Sequence, residues 1–292
     1  MSIVVTTPTG NIGRHVVREL MNAGKSIRVI VRNPNKLGAD VRAYAKIVQG
    51  SIDDAAILTE ALNGAEALFW CVPQSNTQEN VLEYYLHFAR AAATAIQQTG
   101  TPRIVAVSSG GKGIAKNAGP ISALHAIDDV LDATGAAIKY LRCGHFMDNL
   151  LWQVEPIVQQ GVFFYPLPSD FPIPMVATCD IGAMAVRWLI HQDWLGQSGI
   201  GVHGPEDFSL NQVAETLSKA FSKPVRFQPV PPKAYYESIL SHGSSPAFAQ
   251  SLVDMFAAVA EGIYRAEPRT LDTTTPTTLR QWVENVMLPV AL

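Results

Sequence analysis

The segment TTPTGNIG at positions 6–13 constrains the fold of this chain more than any other feature. It separates a short apolar strand at Ile3–Thr6 from a helical pattern at Asn11–Ala23, and a second apolar strand follows at Ile27–Val31. Parallel strands cannot be joined by a tight turn, so the helix must cross over to reach the second strand. The first thirty residues therefore predict a β-α-β unit.

The same alternation continues to Arg142. Apolar runs predict further strands at 47–49, 67–72, 103–108 and 137–142, and helical patterns lie at 54–62, 78–98 and 123–133. Strands separated by helices pair in parallel and bury both faces of their sheet. The sequence thus predicts an α/β fold, a Rossmann-type doubly wound parallel sheet.

Beyond Arg142 the alternation loosens, and we predict a smaller C-terminal α/β cap subdomain. The aromatic and proline-rich stretch Gly161–Pro174 predicts loop or edge structure, because proline cannot donate to an interior ladder. Later elements are predicted as a helix at 180–191, a strand at 199–203 on the main sheet, and helices at 211–221 and 246–260. Asp180 and Thr278 are predicted N-caps. The predicted boundaries are 1–145 plus about 180–204 for a nucleotide-binding Rossmann domain, and about 146–179 plus 205–292 for a substrate-binding cap.

Composition limits the partners. Charged residues are 16% of the chain and the net charge is −3, which gives no basic balance for nucleic acid or anionic lipid. No run reaches membrane-spanning length and no leader pattern precedes the first strand, so we expect a cytoplasmic protein that binds a small molecule and does not bind a membrane. The three cysteines, Cys71, Cys143 and Cys179, have no C-x-x-C spacing, which indicates a reducing compartment, buried thiols and no bound metal.

The first turn carries the strongest chemical signal. Gly10 and Gly13 occupy the last two positions of a G-x-x-G-x-x-G pattern between strand and helix, where the backbone must approach a pyrophosphate at a helix N-terminus. Thr7 replaces the first glycine, and Pro8 removes one N–H donor. The alternative is a glycine-bearing turn that only connects the two elements.

The end of the second strand indicates which dinucleotide is preferred. NAD-binding proteins place an acidic residue there for the ribose 2'-hydroxyl, whereas NADP-binding proteins place an arginine nearby for the 2'-phosphate. Here Val31 is followed by Arg32, and Lys36 adds a second cation. Arg32 and Lys36 therefore predict NADP(H) as the cofactor. The alternative is that both side chains are ordinary solvated surface charges.

The chain resembles the NmrA-like members of the atypical short-chain dehydrogenase/reductase superfamily, near the quinone oxidoreductase-like branch. The matching segments, in chain order, are TPTGNIG, VIVRNPNKL, QGSIDD, ALFWCVPQ, RIVAVSSGG and LRCGHFMDNL.

This resemblance implies roles for the matched positions. The pyrophosphate would be surrounded by Thr7, Gly10, Asn11, Ile12 and Gly13, and the 2'-phosphate would contact Arg32 and Lys36. The adenine would lie near Ser51, Ile52 and Asp53, and the nicotinamide ribose near Cys71, Val72 and Pro73. The reaction site would be faced by Ser108 and Ser109. Ser51 departs from the aspartate that is frequent at its position.

The sequence evidence for catalytic residues is weaker than that for cofactor binding. Short-chain dehydrogenases commonly use a Tyr-x-x-x-Lys pair to protonate the substrate, and no such pair follows the fifth strand. His125 lies near the start of the following helix and is the candidate general acid. The alternative is a helix-surface histidine, and Asp128 and Asp129 are interpreted as exposed helix charges.

A substrate pocket is predicted where the chain leaves the sheet for the cap. Its candidate residues are His145, Phe146, Asn149, Trp152 and Tyr165, with Phe163 and Phe164 as further apolar walls. At helical or strand spacing such aromatics also occur as plain core.

Two function classes follow. The first is an NADPH-dependent oxidoreductase that reduces a flat enone, quinone, imine or carbonyl compound. The second is a non-catalytic redox sensor that binds NADP(H) and a protein partner. An isomerase or epimerase is more remote, and homodimerisation stays open. An enclosed apolar pocket beside the nicotinamide would favour the enzyme.

Overall fold

The computed structural model describes residues 2–101, 103–191 and 193–291. The strands are β1 (Ser2–Val5), β2 (Ile27–Val31), β3 (Lys46–Gln49), β4 (Ala65–Trp70), β5 (Arg103–Ser109), β6 (Ala137–Cys143), β7 (His145–Phe146), β8 (Val162–Tyr165), β9 (Ile173–Val176), β10 (Gln197–Val202), β11 (Asp207–Phe208) and β12 (Arg226–Pro229). The α-helices are α1 (Gly13–Asn22), α2 (Ala39–Tyr44), α3 (Ala55–Leu62), α4 (Val81–Thr99), α5 (Pro120–Asp132), α6 (Val154–Gln160), α7 (Thr178–Ile190), α8 (Leu210–Phe221), α9 (Pro232–Ser241), α10 (Pro246–Ala260), α11 (Leu279–Trp282) and α12 (Leu288–Ala291).

The main sheet contains seven parallel strands in the order β10-β6-β5-β4-β1-β2-β3. The chain starts in β1 near the middle of the sheet, winds outward to β3, and returns across β4 to the opposite edge. This arrangement confirms the predicted doubly wound fold. It also confirms that the strand near residue 200 lies on the main sheet, where β10 pairs with β6.

Helices cover both faces of the sheet, and the strand sequences explain why. Within β1, Val4 packs into the cluster formed with α3, α4 and α5, whereas Ile3 and Val5 pack into the cluster formed with α1 and α7. Successive side chains of a strand point to opposite faces, so a strand buried on both faces reads as a continuous apolar run.

The stretch Gly161–Pro174 differs in part from the prediction. β8 pairs only with β12 in a two-stranded sheet, as edge structure should. β9, which contains Pro174, is instead the middle strand of a small sheet between β11 and β7. The neighbouring strands β7 and β11 are each two residues long, so the N–H group that Pro174 lacks removes few hydrogen bonds between strands.

Asp180 is not the N-cap of α7, and that prediction is wrong. The helix begins at Thr178, two residues earlier, and its N-cap Ala177 provides no side-chain hydrogen bond. The Asp180 carboxylate instead accepts hydrogen bonds from the backbone N–H and the hydroxyl of Thr277, at 2.9 and 2.7 Å. It therefore ties α7 to the C-terminal segment.

The predicted cap at Thr278 is confirmed, since its side chain forms a capping box with Gln281 at the start of α11. The bounds predicted for α10 are also correct. None of the helices within the described residues is both long and apolar enough to cross a membrane.

Candidate cofactor and substrate site

The first turn has the shape that its glycine pattern demands. Thr7 has a φ of +47°, the left-handed conformation that a glycine would adopt without strain, and its carbonyl oxygen accepts a hydrogen bond from the Gly10 N–H at 2.9 Å. A Cβ on Gly13 would lie 2.1 Å from that same oxygen. Thr7 thus adopts a conformation that favours glycine, and Gly13 permits helix α1 to pack directly on the turn.

The N-terminus of α1 suits an anion. It has no side-chain cap and no acidic residue in its first turn. Within the described residues, the backbone N–H groups of Asn11, Ile12 and Gly13 make no hydrogen bond. Free N–H groups at the positive end of a helix dipole fit the pyrophosphate of a dinucleotide.

Arg32 and Lys36, predicted to contact a 2'-phosphate, both lie just after β2. Both side chains are exposed, directly beyond β2 and in the short 3-10 turn Pro34–Lys36. Neither has a carboxylate partner within residues 2–101, 103–191 and 193–291. Ser51 and Asp53 follow the neighbouring strand β3, both half-buried.

The segment after β4 is fixed against the first turn. The Thr6 hydroxyl donates to the Phe69 carbonyl oxygen at 2.9 Å and accepts the Cys71 N–H at 2.9 Å. The Thr7 hydroxyl reaches the Cys71 carbonyl oxygen at 3.4 Å. Because burial raises the pKa of the Cys71 thiol to about 11, it remains protonated at neutral pH. Cys71 and Cys179 are half-buried, and Cys143 is buried.

A cavity of about 940 Å³ opens at the carboxyl ends of β4, β5 and β6. The sequence-predicted residues that line it are Ile12, Cys71, Val72, Ser108, Ser109, His145, Phe146, Asn149, Trp152, Phe164 and Tyr165. It therefore extends from the edge of the phosphate turn into the region predicted for the substrate. Phe163, named as a further wall, is fully buried and does not line it within the described residues.

The far part of the cavity has an aromatic wall formed by residues from three elements. The ring centroid of Phe256, on α10, lies 5.1 Å from that of Tyr165 on β8 and 5.4 Å from that of Tyr235 on α9. His145 stacks edge-on against Tyr165 at 6.1 Å. Burial lowers the pKa of His145 to about 4, so its ring is neutral at pH 7.

The cavity is almost without charge. Within the described residues, no lysine or arginine lines it, and Glu155 is its one carboxylate. An apolar chamber with isolated polar groups binds flat uncharged molecules, whereas an anion would lose its hydration without gaining a cationic partner.

His125 does not line this cavity within the described part of the chain. It is buried, and its Nε2 lies 3.1 Å from the Ser109 carbonyl oxygen, which can only accept; Nε2 therefore carries a proton. Burial lowers the pKa of His125 to about 4. A general-acid role for His125 stays a prediction, while the observed contact is with the backbone of β5.

Asp128 is not an exposed helix charge, and that interpretation is wrong. It is 1% exposed and forms an ion pair with Arg142 of β6. The Ser108 hydroxyl donates to the Asp128 carboxylate at 2.9 Å and accepts from Arg142 at 2.7 Å. This buried cluster holds the end of β5 below the cavity. Asp129 is exposed, as predicted, and pairs with Lys112 at 2.5 Å.

Sequence reasoning missed the residues that the late helices contribute to the cavity. These are Tyr235 and Ile239 from α9, Leu252, Met255 and Phe256 from α10, and Tyr264 from the 3-10 turn that follows. The spacing at 252, 255 and 256 is that of one helix face, but periodicity alone does not distinguish a cavity wall from ordinary core.

Comparisons with known proteins agree with this geometry. The model of the NmrA-like family matches residues 1–283. An NAD(P)H azoreductase from Xenophilus azovorans is 26% identical over 258 residues, which cover 87% of this chain and 86% of that protein. Quinone oxidoreductase 2 from Escherichia coli K12 is 25% identical, with 92% of each protein covered. The crystal structure of an NADPH-dependent quinone oxidoreductase from Escherichia coli complexed with NADPH superposes with a TM-score of 0.82 at 24% identity, covering 98% of this chain and 99% of that one.

Proposed function

We propose that this chain, which belongs to the NmrA-like family, is an NADPH-dependent reductase of flat, uncharged or cationic organic acceptors. The acceptor carries a C=C–C=O, quinone, C=N or N=N group. The observation that carries the proposal is the cavity of about 940 Å³, which joins the phosphate turn to an aromatic chamber and is lined by no lysine or arginine among the residues that the structure describes.

The turn residues would hold the cofactor. Gly10, Gly13 and the free N–H groups of α1 fit a pyrophosphate, and the Arg32 guanidinium fits a 2'-phosphate. Bound NADPH supplies a hydride. The protein contributes binding, orientation and exclusion of water, as the apolar walls of the chamber allow.

Two similar proteins named for reduction support the reaction class, the azoreductase and the quinone oxidoreductase. The cavity supports a reductase over a redox sensor, because a sensor has no need of a large, mainly apolar cavity at the carboxyl ends of the strands. Its lining also separates this chain from a similar reductase of a methyl phosphate compound, 29% identical, since an anionic substrate would find no lysine or arginine among the described lining residues.

Three acceptors of different charge test the proposal: a neutral naphthoquinone, its sulfonate, and a cationic triarylmethane dye, each followed by loss of NADPH absorbance. We expect turnover of the neutral and cationic acceptors and a kcat/KM for the sulfonate at least about 10-fold lower. Tight NADPH binding with no turnover of any acceptor would favour the sensor. A preference for the sulfonate would contradict the proposed substrate class.

The role of His125 is tested on the same assay. If it donates a proton, His125→Ala lowers turnover without changing NADPH affinity. Unchanged turnover would leave it as a buried contact of the Ser109 carbonyl oxygen.

A further inference from the structure

A tyrosine from the C-terminal half of the chain lies at the end of β5, where the short-chain dehydrogenase motif is missing. Tyr264 follows α10 in the 3-10 turn Ile263–Ala266, lines the cavity and is 9% exposed. Its ring lies against the backbone of Gly110, where a Cβ would be 2.9 Å from the Tyr264 Cδ1 atom. The ring therefore lies beside the residue that follows Ser109, and Ser109 and Tyr264 both line the cavity.

The segment that carries Tyr264 is fixed at Glu267, three residues after the tyrosine, by two contacts. The Glu267 carboxylate accepts the Gly111 N–H at 2.8 Å, which joins the segment to the loop after β5. The Glu267 carbonyl oxygen lies 3.0 Å from Nε2 of His203, which follows β10. A donor close to such an anchor loses less conformational freedom when it acts than a donor on an unanchored loop.

The Tyr264 phenol remains protonated. Burial raises its pKa above the ordinary value, the neighbouring Cys143 and Glu267 raise it further, and the Ser109 hydroxyl offsets part of this shift. A phenol that keeps its proton is a permanent hydrogen-bond donor. It does not need the lysine that lowers the tyrosine pKa in a Tyr-x-x-x-Lys pair.

Two other hydroxyl groups of the cavity lining are bonded to protein acceptors. The Tyr165 hydroxyl donates to the Asn149 carbonyl oxygen at 3.3 Å, and the Ser108 hydroxyl donates to Asp128 at 2.9 Å. Ser109 and Tyr264 are the pair that lies together beside β5.

We propose that Tyr264 and Ser109 form a two-donor site for the heteroatom of the acceptor that becomes negative during reduction. This inference rests on the proposed reductase function. When a hydride adds to the carbon of a C=O group, the π electron pair moves to oxygen, and two preorganised donors stabilise that charge. Water then supplies the proton, so one hydride and one proton complete the reduction.

Two acceptors separate this role from a structural one. Reduction of an aromatic enone places negative charge on its oxygen, whereas addition of a hydride to a cationic triarylmethane dye only neutralises the dye. Loss of one such donor lowers kcat by about 100-fold or more in well-studied enzymes. We expect Tyr264→Phe to lower kcat for the enone by about 100-fold and to change kcat for the dye less than about 3-fold.

A second readout needs no turnover. In the absence of NADPH, the infrared carbonyl stretch of bound ¹³C=O-labelled fluorenone should lie at lower frequency in the wild type than in Tyr264→Phe, because hydrogen bonds weaken the C=O bond. Tyr140→Phe is the matched control: it removes another buried phenol hydroxyl, bonded to Asp132 at 2.6 Å and outside the cavity lining. It should leave the band unchanged.

Equal carbonyl frequencies in wild type and Tyr264→Phe would overturn the inference, as would equal losses for the enone and the dye. Wild-type protein that neither binds fluorenone nor reduces either acceptor would contradict the proposed function itself. The two failures are therefore distinguishable.

Discussion

The cofactor end and the substrate end of this site are built in opposite ways. The phosphate turn is contiguous, from Thr6 to Gly13, and its shape follows from close approaches between neighbouring backbone atoms. The chamber is assembled from β8, α9, α10 and the turn carrying Tyr264. These elements lie far along the chain from the end of β5 at Ser109: Val162, the first residue of β8, is 53 positions later and Tyr264 is 155 positions later. A contiguous site is constrained locally, whereas an assembled site depends on the packing of the whole fold.

The largest effect should come from the buried ion pair beneath the assembled half. Arg142→Met leaves Asp128 buried without its partner, and loss of one member of such a pair costs about 3 to 5 kcal/mol. We expect the free energy of unfolding in urea to fall by this amount. The double variant Asp128→Leu/Arg142→Met should recover most of the loss. A single variant as stable as wild type would show that the pair does not support β5.

The contiguous half is tested by Gly13→Ala. The added methyl group would lie 2.1 Å from the Thr7 carbonyl oxygen, so the turn must open, at about 1 to 3 kcal/mol. We expect NADPH affinity to fall by about 100-fold in a calorimetric titration, in line with that energy. Gly10→Ala is the matched control, because its methyl group would lie 3.2 Å from the same oxygen and should cost less. Equal losses of NADPH affinity in Gly13→Ala and Gly10→Ala would contradict this steric explanation.

Two neutral histidines should make stability depend on pH. The folded-state pKa values of His125 and His145 are about 4, below the ordinary 6.5, mainly because of burial. Between about pH 4 and 6.5 the unfolded chain binds more protons than the folded protein, so the free energy of unfolding decreases as the pH falls from about 6.5 towards 4. The loss is on the order of 2 kcal/mol per histidine at pH 5.

Urea unfolding at pH 7 and pH 5 measures this dependence. His145→Gln should remove about half of the histidine contribution. An unchanged pH dependence in that variant would mean that His145 titrates normally in the folded protein.

The smallest effect in this series concerns cofactor choice. Arg32→Ala should weaken NADPH by about 10-fold and NADH hardly at all, because only NADPH has a 2'-phosphate to accept the guanidinium hydrogen bonds. Titration of both dinucleotides into both proteins checks this. Equal losses for NADPH and NADH would contradict the assignment of Arg32.

Sequence patterns predicted the contiguous half well and the assembled half only in part. The pocket residues from His145 to Tyr165 were predicted, whereas the residues that α9, α10 and the turn carrying Tyr264 contribute were not. Alternating apolar runs and caps indicated the sheet, its parallel pairing and α10, because strand and helix periodicity are local properties. The glycines of the first turn are likewise local. That Thr7, which is not a glycine, adopts the left-handed conformation in this turn became visible only in the structure.

Three failures share one cause. Asp128 looks like an exposed charge on a helix, Asp180 looks like an N-cap, and Tyr264 belongs to no motif. Each owes its role to a partner distant in sequence, Arg142, Thr277 and Ser109 respectively. Nothing in the spacing of residues identifies such partners, because folding of the whole chain brings them together.

Transfer of deuterium to an aromatic enone tests the central claim most directly. Purified protein is mixed with the enone and stoichiometric NADPH carrying deuterium at C4 on either face, and the product is analysed by mass spectrometry and proton NMR. The account predicts one carbon-bound deuterium in the product from one of the two labelled cofactors. Bound NADPH that transfers no deuterium from either face to any acceptor would contradict it.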